Sequence, residues 1–255
     1  MKVWIIRRNT LLRIGAVLVF GLFLLAGAMG AGAVIEANAS VRELPIYCVE
    51  TPNQEKKLAL GINCAWGDED IPKILDELDQ CQVKATFFVV GEWCDAHPQS
   101  VSLIAKRGHE VGSHSDTHPD LPSLSEEEIR REIQVSGQKI ETLTGVRPTL
   151  FRCPSGSYDD RSIRLIREEG YYPIQWSLDS LDWKGTNEQE MIQRIVPKLT
   201  YGDILLFHND TDYTAEALPG VIQAIQQQGY EFVTVGELIH QGDYTVDVTG
   251  RQFPG

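Results

Sequence analysis

Between Lys57 and His240 short apolar runs alternate with amphipathic stretches, and that alternation restricts the fold more than any other feature of the chain. Leu58-Ala59-Leu60-Gly61-Ile62 reads as a buried strand, and Ile71, Ile74, Leu75 and Leu78 then fall on one face of a helix. Ala85–Val90 reads as a second strand, followed by a short helix over Val101–Arg107 and a strand at Gly108–Val111. Ser125 with Glu128 forms a capping box that opens a long helix ending near Gly145. Strands at Thr149–Phe151, Tyr172–Ser177, Asp203–Phe207 and Phe232–Val235 alternate with helices at Ser162–Glu168, Glu188–Lys198 and Ala215–Gln228. Strictly alternating strands and helices form a parallel sheet. Seven or so such units in about 185 residues suggest a closed α/β barrel, whose chemistry lies at the C-terminal strand ends.

The first 35 residues stand apart. Lys2, Arg7, Arg8 and Arg13 precede an uncharged, mostly apolar run from Ile14 to Ile35, 22 residues long. About 20 such residues cross a bilayer, so the run reads as a signal-anchor with its basic end inside. Ala37-Asn38-Ala39 offers a small-x-small cleavage site, which leaves a secreted form open as the alternative. The expected organisation is a basic end and transmembrane helix over 1–35, a linker over 36–56, one domain over 57–241 and a tail over 242–255. The expected location is the cell membrane, single pass, with the domain outside. Beyond residue 35 there are 19 basic and 36 acidic residues, a balance that argues against nucleic acid as partner. Five cysteines leave at least one thiol unpaired within the chain, and buried free thiols are the plain reading.

His114 and His118 stand four apart in the polar segment Gly112–Pro119, just after a predicted strand. Neutral imidazoles at this spacing can close on one metal ion. Four other polar clusters also begin where predicted strands stop: Gly61–Asp70, Phe151–Tyr158, Trp176–Trp183 and Asp203–Asp210.

With the histidine pair, these clusters resemble, in order, the five motifs of the polysaccharide deacetylase family (carbohydrate esterase family 4, the NodB-homology domain). The tryptophan-glycine-acidic form of the first motif is closest to the membrane-anchored sporulation branch. The resemblance implies a distorted (β/α)7 barrel that removes N- or O-acetyl groups from cell-wall glycans such as peptidoglycan or chitin-like polymers. It implies a divalent metal, commonly zinc, acting as Lewis acid and nucleophile source. His114 and His118 match the metal histidines. His208 matches the general acid that protonates the leaving amine, and Asp182 the carboxylate that orients it. Arg152 matches the arginine that holds the catalytic base. Trp183 and Leu206 match apolar walls of the acetyl pocket, and Tyr158 a backbone donor to the oxyanion. His97, His109 and His240 match no catalytic position.

The chain departs from the pattern in its first motif. Asn63 and Cys64 stand where the family carries two adjacent aspartates, the general base and a metal ligand. A carboxamide cannot take a proton from water at neutral pH, and a general base is worth about 10²–10⁴ in rate. Cys64 is a candidate thiolate ligand, and Asp68 a second candidate if its loop folds back. Cys64 and Cys153 are expected close together, as a disulfide or as two thiols over the metal. Two readings stay open. One is an active deacetylase that takes its base from Asp68, Asp116 or another carboxylate, or works without one. The other is a non-catalytic glycan-binding or scaffold protein.

Overall fold

A computed structural model describes residues 42–255. The expected signal-anchor over 1–35 and the first part of the linker lie outside the described residues. Among the described residues, no helix is long and apolar enough to cross a membrane.

In chain order the elements are β1 (Cys48–Val49), β2 (Lys57–Cys64), α1 (Ile71–Gln80), β3 (Thr86–Val89), α2 (Gly91–Ala96), α3 (Pro98–Lys106) and β4 (Glu110–Ser113). Then come α4 (Glu126–Thr144), β5 (Leu150–Arg152), α5 (Asp160–Glu168), β6 (Tyr172–Ile174), β7 (Leu178–Asp179), α6 (Glu188–Ile195) and β8 (Ile204–His208). The chain ends with α7 (Thr214–Gln227), β9 (Glu231–Val233), α8 (Val235–Leu238), β10 (Tyr244–Val246) and β11 (Arg251–Pro254). The main sheet runs β6-β5-β4-β3-β2-β8-β7, with β9 pairing the first residues of β2, and every pair in it is parallel. This is the expected α/β barrel in a curled, open form.

The local signals explain most boundaries. Ser125 caps α4 through the Glu128 amide while the Glu128 side chain answers the Ser125 amide, and Gly145 ends the helix in the left-handed conformation. One helix was expected before β4, but the chain makes two, because Pro98 cannot continue α2 and instead starts α3.

Three expectations need correction. The strand predicted over Tyr172–Ser177 stops at Ile174 as β6, and a separate short strand, β7, follows at Leu178–Asp179 on the opposite edge of the sheet. β6 pairs with β5 and β7 pairs with β8, so the chain crosses the barrel seam between them. The segment 42–56 is not a free linker over its described part. Ile46 bridges to Ile174 on one side of the seam and Cys48 to Asp203 on the other. The Ile46 amide donates to Pro173 O, and Gln175 N donates to Ile46 O. Ile46 and Val49 are fully buried with Ala59, Phe88, Leu150 and Ile174 in the core that fills the barrel's interior. Gly202 permits this approach: a Cβ there would lie 1.7 Å from the Val49 carbonyl oxygen. Nor is 242–255 a free tail, since β11 pairs with β1 and with β10 in a second, three-stranded sheet. Unpaired edge groups are thereby satisfied by the two ends of the domain.

A larger core packs α1, α2, α3, α6 and α7 onto the outside of the sheet. β2 shows how the two cores divide. Leu58, Leu60, Ile62 and Cys64 point outward into the helix-packed core, whereas Ala59, Gly61 and Asn63 point inward.

Candidate active site

The C-terminal strand ends open onto a cavity of about 320 Å³ lined by Asn63, His114, His118, Leu206, His208 and Trp183, with Ala65, Trp66, Ser155, Trp176 and Asp179. It gathers residues from β2, β7, β8 and the loops after β2, β4, β5, β6 and β7.

His114 and His118 are brought together by a loop, not by a helix. Ser115 and His118 both take left-handed backbone conformations, with φ of 68° and 57°. The Ser115 hydroxyl accepts from the His118 amide, and Glu132 of α4 accepts from the amides of Asp116 and Thr117. The two rings lie 4.9 Å apart at 76°. His114 Nδ1 bonds the Arg152 carbonyl oxygen at 2.8 Å. A carbonyl only accepts, so Nδ1 carries the proton and Nε2 keeps its lone pair. Burial, reinforced by the nearby His118, Arg152 and His208, holds the His114 imidazole well below its ordinary pKa; burial also lowers that of His118. Both are therefore neutral, the form that binds metal.

Across the cavity, the fully buried Asp182 is bound from four sides. Its Oδ1 accepts from His208 Nδ1 and the Trp183 amide, each at 2.8 Å. Its Oδ2 accepts from the His208 amide at 2.6 Å and the Thr214 hydroxyl at 2.8 Å. The carboxylate fixes the imidazole tautomer and leaves His208 Nε2 free.

Arg152 is fully buried inside the barrel. Its Nη1 donates to Asn63 Oδ1 at 3.0 Å, its Nη2 to the Gln175 carbonyl at 3.1 Å, and its Nε has no partner. The guanidinium lies 4.0 Å from the centre of the Phe88 ring. Burial pushes its pKa down to about 9. Gly61 makes room for it, since a Cβ there would stand 2.6 Å from Nη2.

The structure does not bring the remaining candidates to the cavity. Cys64 points outward from β2, one residue past Asn63 on a regular strand, and is fully buried in the helix-packed core. Burial raises its pKa well above the ordinary thiol value, the opposite of a thiolate site. Asp68 faces α3, where it accepts from the Ser100 hydroxyl at 2.6 Å and pairs with His97 at 3.1 Å. Asp116 pairs with Lys139. Tyr158 shares a hydroxyl hydrogen bond with Tyr47 and does not line the cavity. Cys64 and Cys153 carry free thiols in different core clusters, so the expected pairing is absent.

Two neutral imidazoles fit a divalent metal by chemistry, and that of His114 also by tautomer. Among the described residues, no group of three His, Cys, Asp or Glu is placed to hold one. His114 and His118 could thus provide two ligands, and neither Cys64 nor Asp68 is placed to provide a third.

Sequence reasoning gave no role to Trp66, Ser155, Trp176 or Asp179. Asp179 is the one carboxylate among the cavity's lining residues, with its Oδ1 accepting from the Leu181 amide. Its position inside the Trp176–Trp183 cluster was the available signal.

Residues 50–174 match the family model described as polysaccharide deacetylase. A Bacillus cereus peptidoglycan-N-acetylglucosamine deacetylase is 33% identical over 195 residues, covering 74% of this chain and 91% of the relative. The uncharacterized protein YlxY of Bacillus subtilis is 37% identical over 203 residues, covering 79% of this chain; the chain spans only 62% of YlxY. Among solved structures, a carbohydrate esterase family 4 pseudoenzyme from Bacillus anthracis aligns with TM-score 0.73 at 37% identity, covering 77% of this chain and 71% of that one. A mutant of that pseudoenzyme is described as having restored enzymatic activity.

Proposed function

The chain belongs to the polysaccharide deacetylase family, and on that premise we propose that it removes acetyl groups from N-acetylated cell-wall glycan, at a rate held down by Asn63. The observation that carries this reading is the pair of ligand-competent imidazoles, His114 and His118, sharing one cavity with the His208–Asp182 pair. The named deacetylase activity of the Bacillus cereus relative supports peptidoglycan as the substrate class.

In this mechanism Leu206, Trp176 and Trp183 enclose the acetyl methyl, and the sugar extends past Trp66 at the rim. His114 and His118 would hold a divalent metal such as zinc, which imidazole ligands suit and which would supply polarisation of the acetyl carbonyl. His208 delivers a proton from Nε2 to the departing amine, and Asp182 keeps the ring oriented and stabilises its charged form. Arg152 holds the side chain at position 63, but the Asn63 amide cannot accept the proton that attacking water must lose. The apolar run at 14–35 would tether the domain to the outer face of the membrane.

A second reading, glycan binding without turnover, is favoured by Asn63 itself and by likeness to a family pseudoenzyme. Acetate release from chitin oligomers and peptidoglycan strands, with zinc added, separates the two. The first reading expects slow release by the native chain and a rise of about 10²–10⁴-fold in Asn63→Asp. Release by Asn63→Asp alone favours the second. No release by either sinks the deacetylase reading.

A further inference from the structure

Arg152 is a buried cation with no carboxylate partner among the described residues. Its hydrogen bonds go to an amide oxygen and a backbone carbonyl. Removing a guanidinium from water without a counter-charge is costly, and the residue that Arg152 holds, Asn63, lines the cavity from which a negative charge can approach.

That approach follows from the chemistry of Asn63. A guanidinium has donors only, so the Asn63 amide must turn its oxygen toward Arg152. Its NH₂ group is then directed away from Arg152. Asn63 lines the cavity, and Nδ2 has no hydrogen-bond partner in the protein among the described residues. A carboxylate at this position would present an acceptor and a negative charge to the cavity. Asn63 presents a donor, with the Arg152 charge directly behind it in a water-poor interior where charges act strongly.

The rest of the lining narrows the ligand. Leu206, Trp176 and Trp183 offer apolar surface to a short alkyl group and nothing to a strongly hydrated inorganic ion. Asp179 at the same cavity repels a dianion more than a monoanion.

We infer that this cavity is a binding site for small monocarboxylates of acetate size, with one carboxylate oxygen on Asn63 Nδ2 in the field of Arg152. The inference stands on the cavity and does not require turnover. Acetate, the product of the proposed reaction, belongs to the class, so the native chain holds that product more tightly than a chain with aspartate at position 63.

The test is titration of the full chain with sodium acetate at constant ionic strength, followed by calorimetry and by saturation-transfer NMR. The protein is first treated with chelator, so that no metal can capture the acetate. Saturable binding is expected, weakened at least fivefold in Asn63→Asp by the added charge and in Asn63→Leu by loss of the donor. Circular dichroism and urea midpoints establish that both variants are folded. Asp179→Asn is expected to tighten acetate binding, and phosphate to compete poorly. Absence of saturable binding, an effect below fivefold in Asn63→Asp, or equal competition by phosphate would overturn the assignment. Acetate release is measured separately on zinc-supplemented protein. Binding without release removes the deacetylase reading alone, and release without binding removes this inference alone.

Discussion

At Asp182 four donors converge on one buried carboxylate, from His208, Thr214 and the Trp183 amide. Charge-assisted hydrogen bonds of this kind are worth about 1.5–3 kcal/mol each when their loss strands a partner. Asp182→Ala is therefore expected to lower the unfolding free energy by about 2–4 kcal/mol in urea denaturation. Where Asn63→Asp releases acetate, adding Asp182→Ala is expected to abolish it, since His208 loses its tautomer. Individual residues of the site were legible to different degrees. His114, His118, His208, Asp182, Arg152 and Asn63 converge because each ends a strand or follows one. Cys64 was misplaced because adjacency in sequence was taken as adjacency in the site, whereas neighbours on a regular strand face opposite ways. Asp68 was misplaced because a loop's direction depends on its partners, here Ser100 and His97.

Within β2, the inward face narrows to a glycine where the guanidinium of Arg152 passes. Gly61→Ala would put a methyl within 3 Å of Nη1 and Nη2. Overpacking of this kind costs about 1–3 kcal/mol. The variant is expected to lower the urea midpoint accordingly. It is also expected to weaken acetate binding, because the displaced Arg152 no longer orients Asn63. The buried strand at Leu58–Ile62 and the capping box of α4 were readable from local spacing, and the structure places both as expected. The end of β6 at Ile174 and the move of the chain to the opposite edge as β7 were not readable. Apolar periodicity reports that a segment is extended and buried, but not which edge of a sheet it joins. That choice is made by β5 and β8, far away in sequence.

For the whole molecule, buried histidines tie stability to pH. His109 is 5% exposed, its Nδ1 accepts from the Ala85 amide, and burial lowers its pKa from the ordinary 6.5 to about 4. The unfolded chain takes up a proton below pH 6.5 that the native state refuses until pH falls to about 4. Native stability therefore falls as pH drops across that window and is unaffected above it. The contribution of His109 is about 2–3 kcal/mol. His109→Asn keeps an acceptor for Ala85, and it is expected to lose less unfolding free energy than the native chain between pH 7 and pH 4.5. Equal losses in urea titrations would rule the histidine out as the source. The open seam of the barrel was invisible at this scale too, because the segment that fills it reads as an irregular polar connector.

The seam also orders events in time. Cys48 pairs with Arg251 and Val49 with Gln252, so the first strand of the domain waits for the last. At about 5–20 residues per second, synthesis separates them by roughly 10–40 s. During that interval Cys48 and Val49 have no β11 to pair with. A nascent chain of this fold therefore passes through a state in which the segment lying in the seam lacks its β11 partner. Premature termination within the last few residues would leave the strand ends that line the cavity intact and the seam segment without its β11 clasp.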